Sequence, residues 1–159
     1  MSFVHLHVHS EYSVLDGASK IKNLLKEAEK HGQPAIALTD HGNMFGVKEL
    51  LDTAAKMKSP VKPIVGCEVY VAKGRRDERK GKEDQSSYHL LLLAKNMKGY
   101  HNLIKLVSYG WIEGFYYKPR IDHELLERYN EEIICSSACL GGEIPQAIMH
   151  GDIKKAEEL

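Results

Sequence analysis

Phe3-Val4-His5-Leu6-His7-Val8-His9 alternates without a break, placing Leu6 and Val8 on one face and His5, His7 and His9 on the other. Residues i and i+2 of an extended chain point the same way, so two imidazoles of a His-x-His strand can meet one cation. An isolated His-x-His also fits an exposed polar face. Three alternating histidines, with more potential ligands downstream, are harder to read that way.

Working outward, Ile21 to His31 has a helical period (Ile21, Leu24, Leu25, Ala28) and stops at Gly32. Pro34 to Thr39 is an apolar run of strand length closed by Asp40-His41-Gly42. Val47 to Met57 returns to helical period, and Pro63 to Ala72 and Tyr88 to Ala94 read as strands. Lys98 to Tyr109 and Asp122 to Tyr129 read as helices, Glu132 to Ser136 as a strand, and Glu143 to His150 and Ile153 onward as helices. The alternation predicts an α/β fold of βαβ units with a largely parallel sheet. Lys73 to Ser87 holds Arg75, Arg76, Asp77, Glu78, Arg79, Lys80, Lys82, Glu83 and Asp84, and is expected to be a mobile excursion. The last helix lacks a closing cap, which reads as a helix cut short and the chain as a fragment.

The chain has 159 residues, the length of one domain, whereas a complete eight-unit β/α barrel takes about 250. Lys plus Arg and Asp plus Glu are both 22, so the formal charge is zero, which argues against a domain devoted to gripping nucleic-acid backbone. No apolar run approaches a membrane span, and no signal peptide is evident, so no membrane partner and a cytoplasmic setting are expected. Three cysteines at no framework spacing suit a reducing compartment.

In α/β folds, sites gather at the carboxyl ends of strands. His7, His9, His41 and Glu68 lie at strand ends or on strand faces, and His89 opens its strand. His41 reads equally as a ligand or as a turn histidine. Glu68 interrupts an apolar strand, so it must face solvent or find a cation. Parity puts Cys67 on the other face, as a core residue. His31 and His150 suit helix C-termini, and His101 and His123 suit the surface. Cys135 and Cys139 could be a zinc pair, but one thiolate ligand with the other cysteine buried fits better.

Histidine, carboxylate and thiol ligands suit Zn, Mn or Fe rather than Ca or Mg, and more than four candidates suggest more than one ion. Clustered divalent ions typically hydrolyse phosphate esters. The loop Tyr116-Tyr117-Lys118-Pro119-Arg120 brings two cations and two aromatics, suited to phosphate contact and base stacking or simply to solvation.

The stretch Phe3-Val4-His5-Leu6-His7-Val8-His9-Ser10-Glu11-Tyr12-Ser13, then Leu15-Asp16-Gly17, resembles the opening of bacterial DNA polymerase III alpha subunits. So do Ala37-Leu38-Thr39-Asp40-His41-Gly42-Asn43, Pro63-Ile64-Val65-Gly66-Cys67-Glu68, Gly114-Phe115-Tyr116-Tyr117-Lys118-Pro119-Arg120 and Ser136-Ser137-Ala138-Cys139-Leu140-Gly141-Gly142. The resemblance is to the first part of their polymerase and histidinol phosphatase (PHP) domain, and covers residues 1–159. It implies an incomplete, distorted seven-stranded β/α barrel with up to three metal ions held at His7, His9, Asp16, His41, Glu68, His89 and Cys139. All but Cys139 would be catalytic. Asp16 enters only through the resemblance, since Asp16-Gly17 also reads as a turn. The family's final Asp-x-His ligands are absent from this span.

The resemblance further implies a DNA-directed DNA polymerase as the parent protein, with a metal-dependent phosphoesterase of 3′–5′ exonuclease type in this domain. Lys118, Arg120 and Tyr116 would contact the nucleic acid. Expected partners are a primer 3′ end, other replicase subunits, a proofreading exonuclease and, for the fragment, a second copy of itself. A catalytically silent scaffold docking a separate exonuclease is the alternative, and a stand-alone phosphatase or amidohydrolase fits less well. The fragment alone is expected to be inactive.

Overall fold

The structure, a computed structural model, describes residues 3–159. The opening segment is extended but is not a regular strand. One parallel bridge joins His5 to Ile36, and the N–H groups of Ala37 and Thr39 donate to the His5 and Val8 carbonyls. The Val8 N–H donates to the Thr39 hydroxyl at 2.8 Å, so a side chain stands in for a rung of the ladder. Val8 packs inward, whereas Leu6 on the same face stays 45% exposed.

The elements are α1 (Ile21–Lys30), β1 (Ala35–Leu38), α2 (Val47–Met57), β2 (Lys62–Ala72), α3 (Lys82–Gln85), β3 (Ser87–Ala94) and α4 (Met97–Ile112). They continue as β4 (Phe115–Tyr116), β5 (Lys118–Ile121), α5 (His123–Tyr129), β6 (Ile133–Ser136), α6 (Glu143–Met149) and α7 (Ile153–Glu158). β2 organises the sheet. Its first residues pair in parallel with β1, its second half pairs antiparallel with β3, and Tyr70 and Val71 pair in parallel with β5. β6 adds antiparallel to β3.

The sheet is therefore mixed rather than largely parallel. The connection from β2 to β3 has no apolar stripe with which a crossover helix could cover the sheet, and the chain returns antiparallel. That connection is not a mobile excursion either. Arg76 pairs with Glu113 at 2.8 Å and Asp122 at 3.1 Å. Arg120, 1% exposed, donates to the carbonyls of Arg76, Glu78 and Asp84 from beneath. The expected 116–120 loop is a tight β4–β5 hairpin with Tyr117 at its tip in a left-handed conformation (φ 60°).

Two apolar clusters cover one side of this framework. Ile21, Leu25, Ile36, Leu38 and Leu50 join α1, β1 and α2; Cys67, Val69, Val71, Leu92, Leu103, Leu106, Ile121 and Leu125 join the sheet to α4 and α5. Fully burying one such aliphatic side chain is worth about 1.5–3 kcal/mol. The alternate residues of β2, Glu68 and Tyr70, are thereby turned to the opposite face. No helix among the described residues is long and apolar enough to cross a membrane.

Candidate metal centre

Strand direction explains how the ligands meet. β3 is antiparallel to β2, so His89, the third residue of β3, lies opposite Tyr70, near the carboxyl end of β2. A bridge pairs His41, just beyond β1, with Glu68. His7 and His9 arrive from the extended segment beside β1. Glu68, 0% exposed, is the hub. Around its Oε2 lie His7 Nε2, His9 Nε2 and His41 Nδ1 at 2.9, 3.1 and 3.1 Å. His89 Nδ1 is 2.9 Å from Oε1, and Cys139 Sγ is 3.7 Å from Oε1 and 3.5 Å from His89 Nδ1. Asp16 joins through its Oδ2, 2.7 Å from His41 Nε2.

The loop holding Asp16 depends on close backbone approach. A Cβ at Gly17 would lie 1.9 Å from the Ser10 carbonyl oxygen, so only glycine fits without a shift. Gly42, at φ 63°, gives the same freedom after His41, where a side chain would strike Tyr70 and Pro119.

Burial alone would push the Glu68 carboxyl up. Hydrogen bonds from His89, His9 and His7, with the charge of His41, outweigh it and hold the group well below the usual carboxylate range. The same bond to Glu68 raises His9 above its ordinary value of 6.5, against its own burial. Three imidazole nitrogens on one carboxylate oxygen exceed its roughly two lone-pair sites. If His41 Nε2–H donates to Asp16, a neutral ring turns the Nδ1 lone pair toward Glu68. That Nδ1 is buried and makes no hydrogen bond. A cation between these atoms resolves both conflicts, so the donor set fits divalent metal ions.

Among the described residues, three groups have ligand atoms within 4.8 Å of one another: His7, His9 and Glu68; His9, Asp16 and His41; and His41, Glu68 and His89. Glu68 would offer two carboxylate oxygens to such ions, and each imidazole a ring nitrogen. The Cys139 thiol lies outside these groups, beside His89.

Other candidates are placed differently. Lys118 Nζ lies 4.3 Å over the Tyr70 ring, and Tyr70 stacks beside His41. Arg120 is not available for phosphate: its donors are spent on the carbonyls of Gly114, Arg76, Glu78 and Asp84. Tyr116 packs on that guanidinium, and the exposed Tyr117 replaces it beside the ligands. Cys67 is buried as expected, but Cys135 is exposed rather than buried, because it sits on the edge strand β6. His123 is a surface residue, bonded to Glu143.

Sequence reasoning missed Asp40 as a positioning group. It is 2% exposed and accepts from the Ser10 N–H, the Ser10 hydroxyl and the Ser13 hydroxyl at 2.6, 2.8 and 2.7 Å. The Ser13 hydroxyl also accepts from the His41 N–H. This ties the histidine segment to the end of β1. The signal was present, since a carboxylate ending an all-apolar strand needs partners as much as Glu68 does.

Known proteins similar to this chain give its family. The PHP domain family model matches residues 5–159. DNA polymerase III subunit alpha of Borreliella burgdorferi is 50% identical over 156 residues, covering 98% of this chain and 13% of that protein. The Treponema pallidum subunit is 50% identical over 159 residues, covering 99% and 13%. The chain thus spans about an eighth of the length of these relatives. A solved amidohydrolase from Chromobacterium violaceum is 25% identical with a TM-score of 0.46, covering 66% of this chain and 32% of its own. A match along nearly the whole chain, with His7, His9, His41, Glu68 and His89 converging, leads to one conclusion: this chain belongs to the PHP domain family.

Proposed function

We propose that the chain is the N-terminal part of the PHP domain of a DNA polymerase III alpha subunit, the catalytic subunit of a cytoplasmic bacterial replicase. Its remaining barrel strands and the final Asp-x-His ligands would lie beyond residue 159. In this reading the ligand end holds up to three Zn, Mn or Fe ions and serves hydrolysis of the terminal phosphodiester of a primer 3′ end. The observation that carries it is the buried Glu68 Oε2, with three imidazole nitrogens within 3.1 Å.

His7, His9, His41, His89, Glu68, Asp16 and Cys139 would hold the ions. Bound metal supplies Lewis acidity and an activated water for phosphate-ester hydrolysis. The chain's own residues do the rest. Glu68 stays ionised and fixes the imidazole ring positions. Asp40, through Ser10 and Ser13, sets the approach of the histidine segment. Lys118, beside Tyr70, offers a cation to a phosphate oxygen.

The test is metal content by elemental analysis after dialysis without chelator. With the final ligand pair outside the chain, binding is expected to be real but incomplete, at one or two equivalents and with little turnover. Glu68→Ala should remove nearly all metal and His41→Ala at least one equivalent. Equal content in the parent chain and both variants would overturn the reading. Metal dependence of stability in a full-length polymerase lacking nuclease activity would favour a scaffold instead.

A further inference from the structure

Beside the ligands lies a group of aromatic rings that metal binding does not require. Trp111, the sole tryptophan, ends α4 and donates its indole N–H to the Gly42 carbonyl at 2.8 Å, one residue from His41. Its ring stacks on Phe115 (centroids 5.5 Å apart, interplanar angle 20°) and is flanked by Phe45 at 6.1 Å. Ordinary packing would bury such rings, yet Phe45 is 64% exposed, Trp111 41%, Phe115 46% and Tyr117 68%. A contiguous exposed aromatic patch of this kind marks a binding surface. These residues share one open cavity of about 640 Å³ with Asp16, His41, Tyr70 and Lys118. From one end to the other it offers metal ligands, then the Lys118 ammonium over Tyr70, then flat apolar faces.

We infer that the Trp111–Phe115 pair, with Phe45 and Tyr117, is a stacking shelf for the bases of a single-stranded oligonucleotide whose backbone passes Lys118. The phosphate end of this inference rests on the phosphoesterase reading above. The chemistry selects the ligand class. A phosphate at the ligand end brings an attached base toward flat rings fixed by the Gly42 bond, and every base has a face to stack. A small phosphomonoester has nothing to place there. The zero formal charge and single nearby lysine mean that stacking, not backbone charge, must supply most of the affinity. Binding should therefore depend only weakly on salt, with a log–log slope of about −0.7 for one phosphate contact.

Trp111 is its own probe. The chain is titrated with an uncleavable phosphorothioate oligothymidylate, with an abasic oligomer of equal length, and with thymidine monophosphate, while indole fluorescence is followed. The oligothymidylate should quench Trp111, and the abasic oligomer should bind at least about tenfold more weakly, the loss expected from one stacked base. Phe115→Leu should weaken binding by a similar factor. Phe45→Leu, at a more exposed position, gives the same test without threatening the fold. Equal binding of the abasic oligomer, or unchanged binding in both variants, overturns the shelf. So does absence of quenching accompanied by self-association that Phe45→Leu abolishes, which would make the patch a protein surface. Metal content of the same samples separates the two readings. Bound metal without oligonucleotide binding removes the shelf alone, and oligonucleotide binding without metal removes the phosphoesterase reading alone.

Discussion

Glu68 and Arg120 are both charged, both at most 1% exposed, and sit on the neighbouring strands β2 and β5, yet their surroundings differ in kind. Arg120 spends its guanidinium N–H groups on four backbone carbonyls, which neither titrate nor leave. Burial nudges it below its ordinary value, and the nearby Asp84 carboxylate offsets that in part. Glu68 faces four imidazoles and a thiol, each titratable, each able to ligate a metal, and more of them than its oxygens can accept. A buried charge satisfied by backbone is finished structure. One crowded by lone-pair donors is organised for something further.

Removing Arg120 should have the largest effect on stability. Arg120→Met leaves the carbonyls of Arg76, Glu78 and Asp84 without their donor and releases the 73–86 connection. The loss expected for such a buried charged group is about 3–5 kcal/mol in urea denaturation, with metal content per folded chain unchanged. Glu68→Gln should do the reverse, losing metal while costing much less stability in chelator. An Arg120→Met protein as stable as the parent would erase the contrast.

The pH dependence of stability sharpens the contrast next. In metal-free protein His9 is raised, chiefly by its bond to Glu68 and against its burial, so its contribution is complete below about pH 6.5 and is lost as pH rises through the folded value. Glu68 is depressed, so its contribution persists above the ordinary carboxylate range near pH 4.3 and is lost only as pH falls well below it. Between pH 6 and 8 the metal-free protein should therefore lose stability. Protein with zinc should gain stability over the same interval, because ligating imidazoles must be neutral. Thermal unfolding at both pH values, with and without chelator, reads the two signs. Identical signs would mean that the histidines around Glu68 do not exchange protons for metal.

Much of this arrangement was legible in the residues. Helical period located α1, α2 and α4 to within a few residues, and the parity of β2 separated Cys67 from Glu68. Strand direction was not legible, because an alternating pattern reads the same both ways. Hence His89 looked like a ligand at the wrong end of its strand until β3 proved antiparallel. The β4–β5 hairpin was too short, with two and four residues, to show a period. Arg120 misled for another reason. Its partners are backbone carbonyls beneath a surface-like charged segment, and no side-chain pattern announces them. Asp16 shows the converse: Asp-Gly marks a turn whether or not the carboxylate reaches His41.

Cys67 and Cys139 carry the comparison to its smallest scale. Cys67 adjoins Glu68 in sequence but faces the apolar cluster of α4 and α5, where burial, and then the charges of Asp40 and Glu68, push its thiol far up. Cys139 lies on an exposed loop with its sulfur 3.5 Å from His89 Nδ1. Cys67→Ala should cost about 1 kcal/mol of stability, the usual size for a buried truncation, and leave metal binding alone. Cys139→Ala should change stability by less than about 0.5 kcal/mol yet weaken zinc binding at least about tenfold, the lower bound for disturbing a metal's immediate surroundings. Urea denaturation in chelator and zinc competition against a chromophoric chelator measure the two quantities independently. If Cys67→Ala lost zinc affinity and Cys139→Ala did not, the division of β2 into a structural face and a ligand face would fail at the position where the two faces are one residue apart.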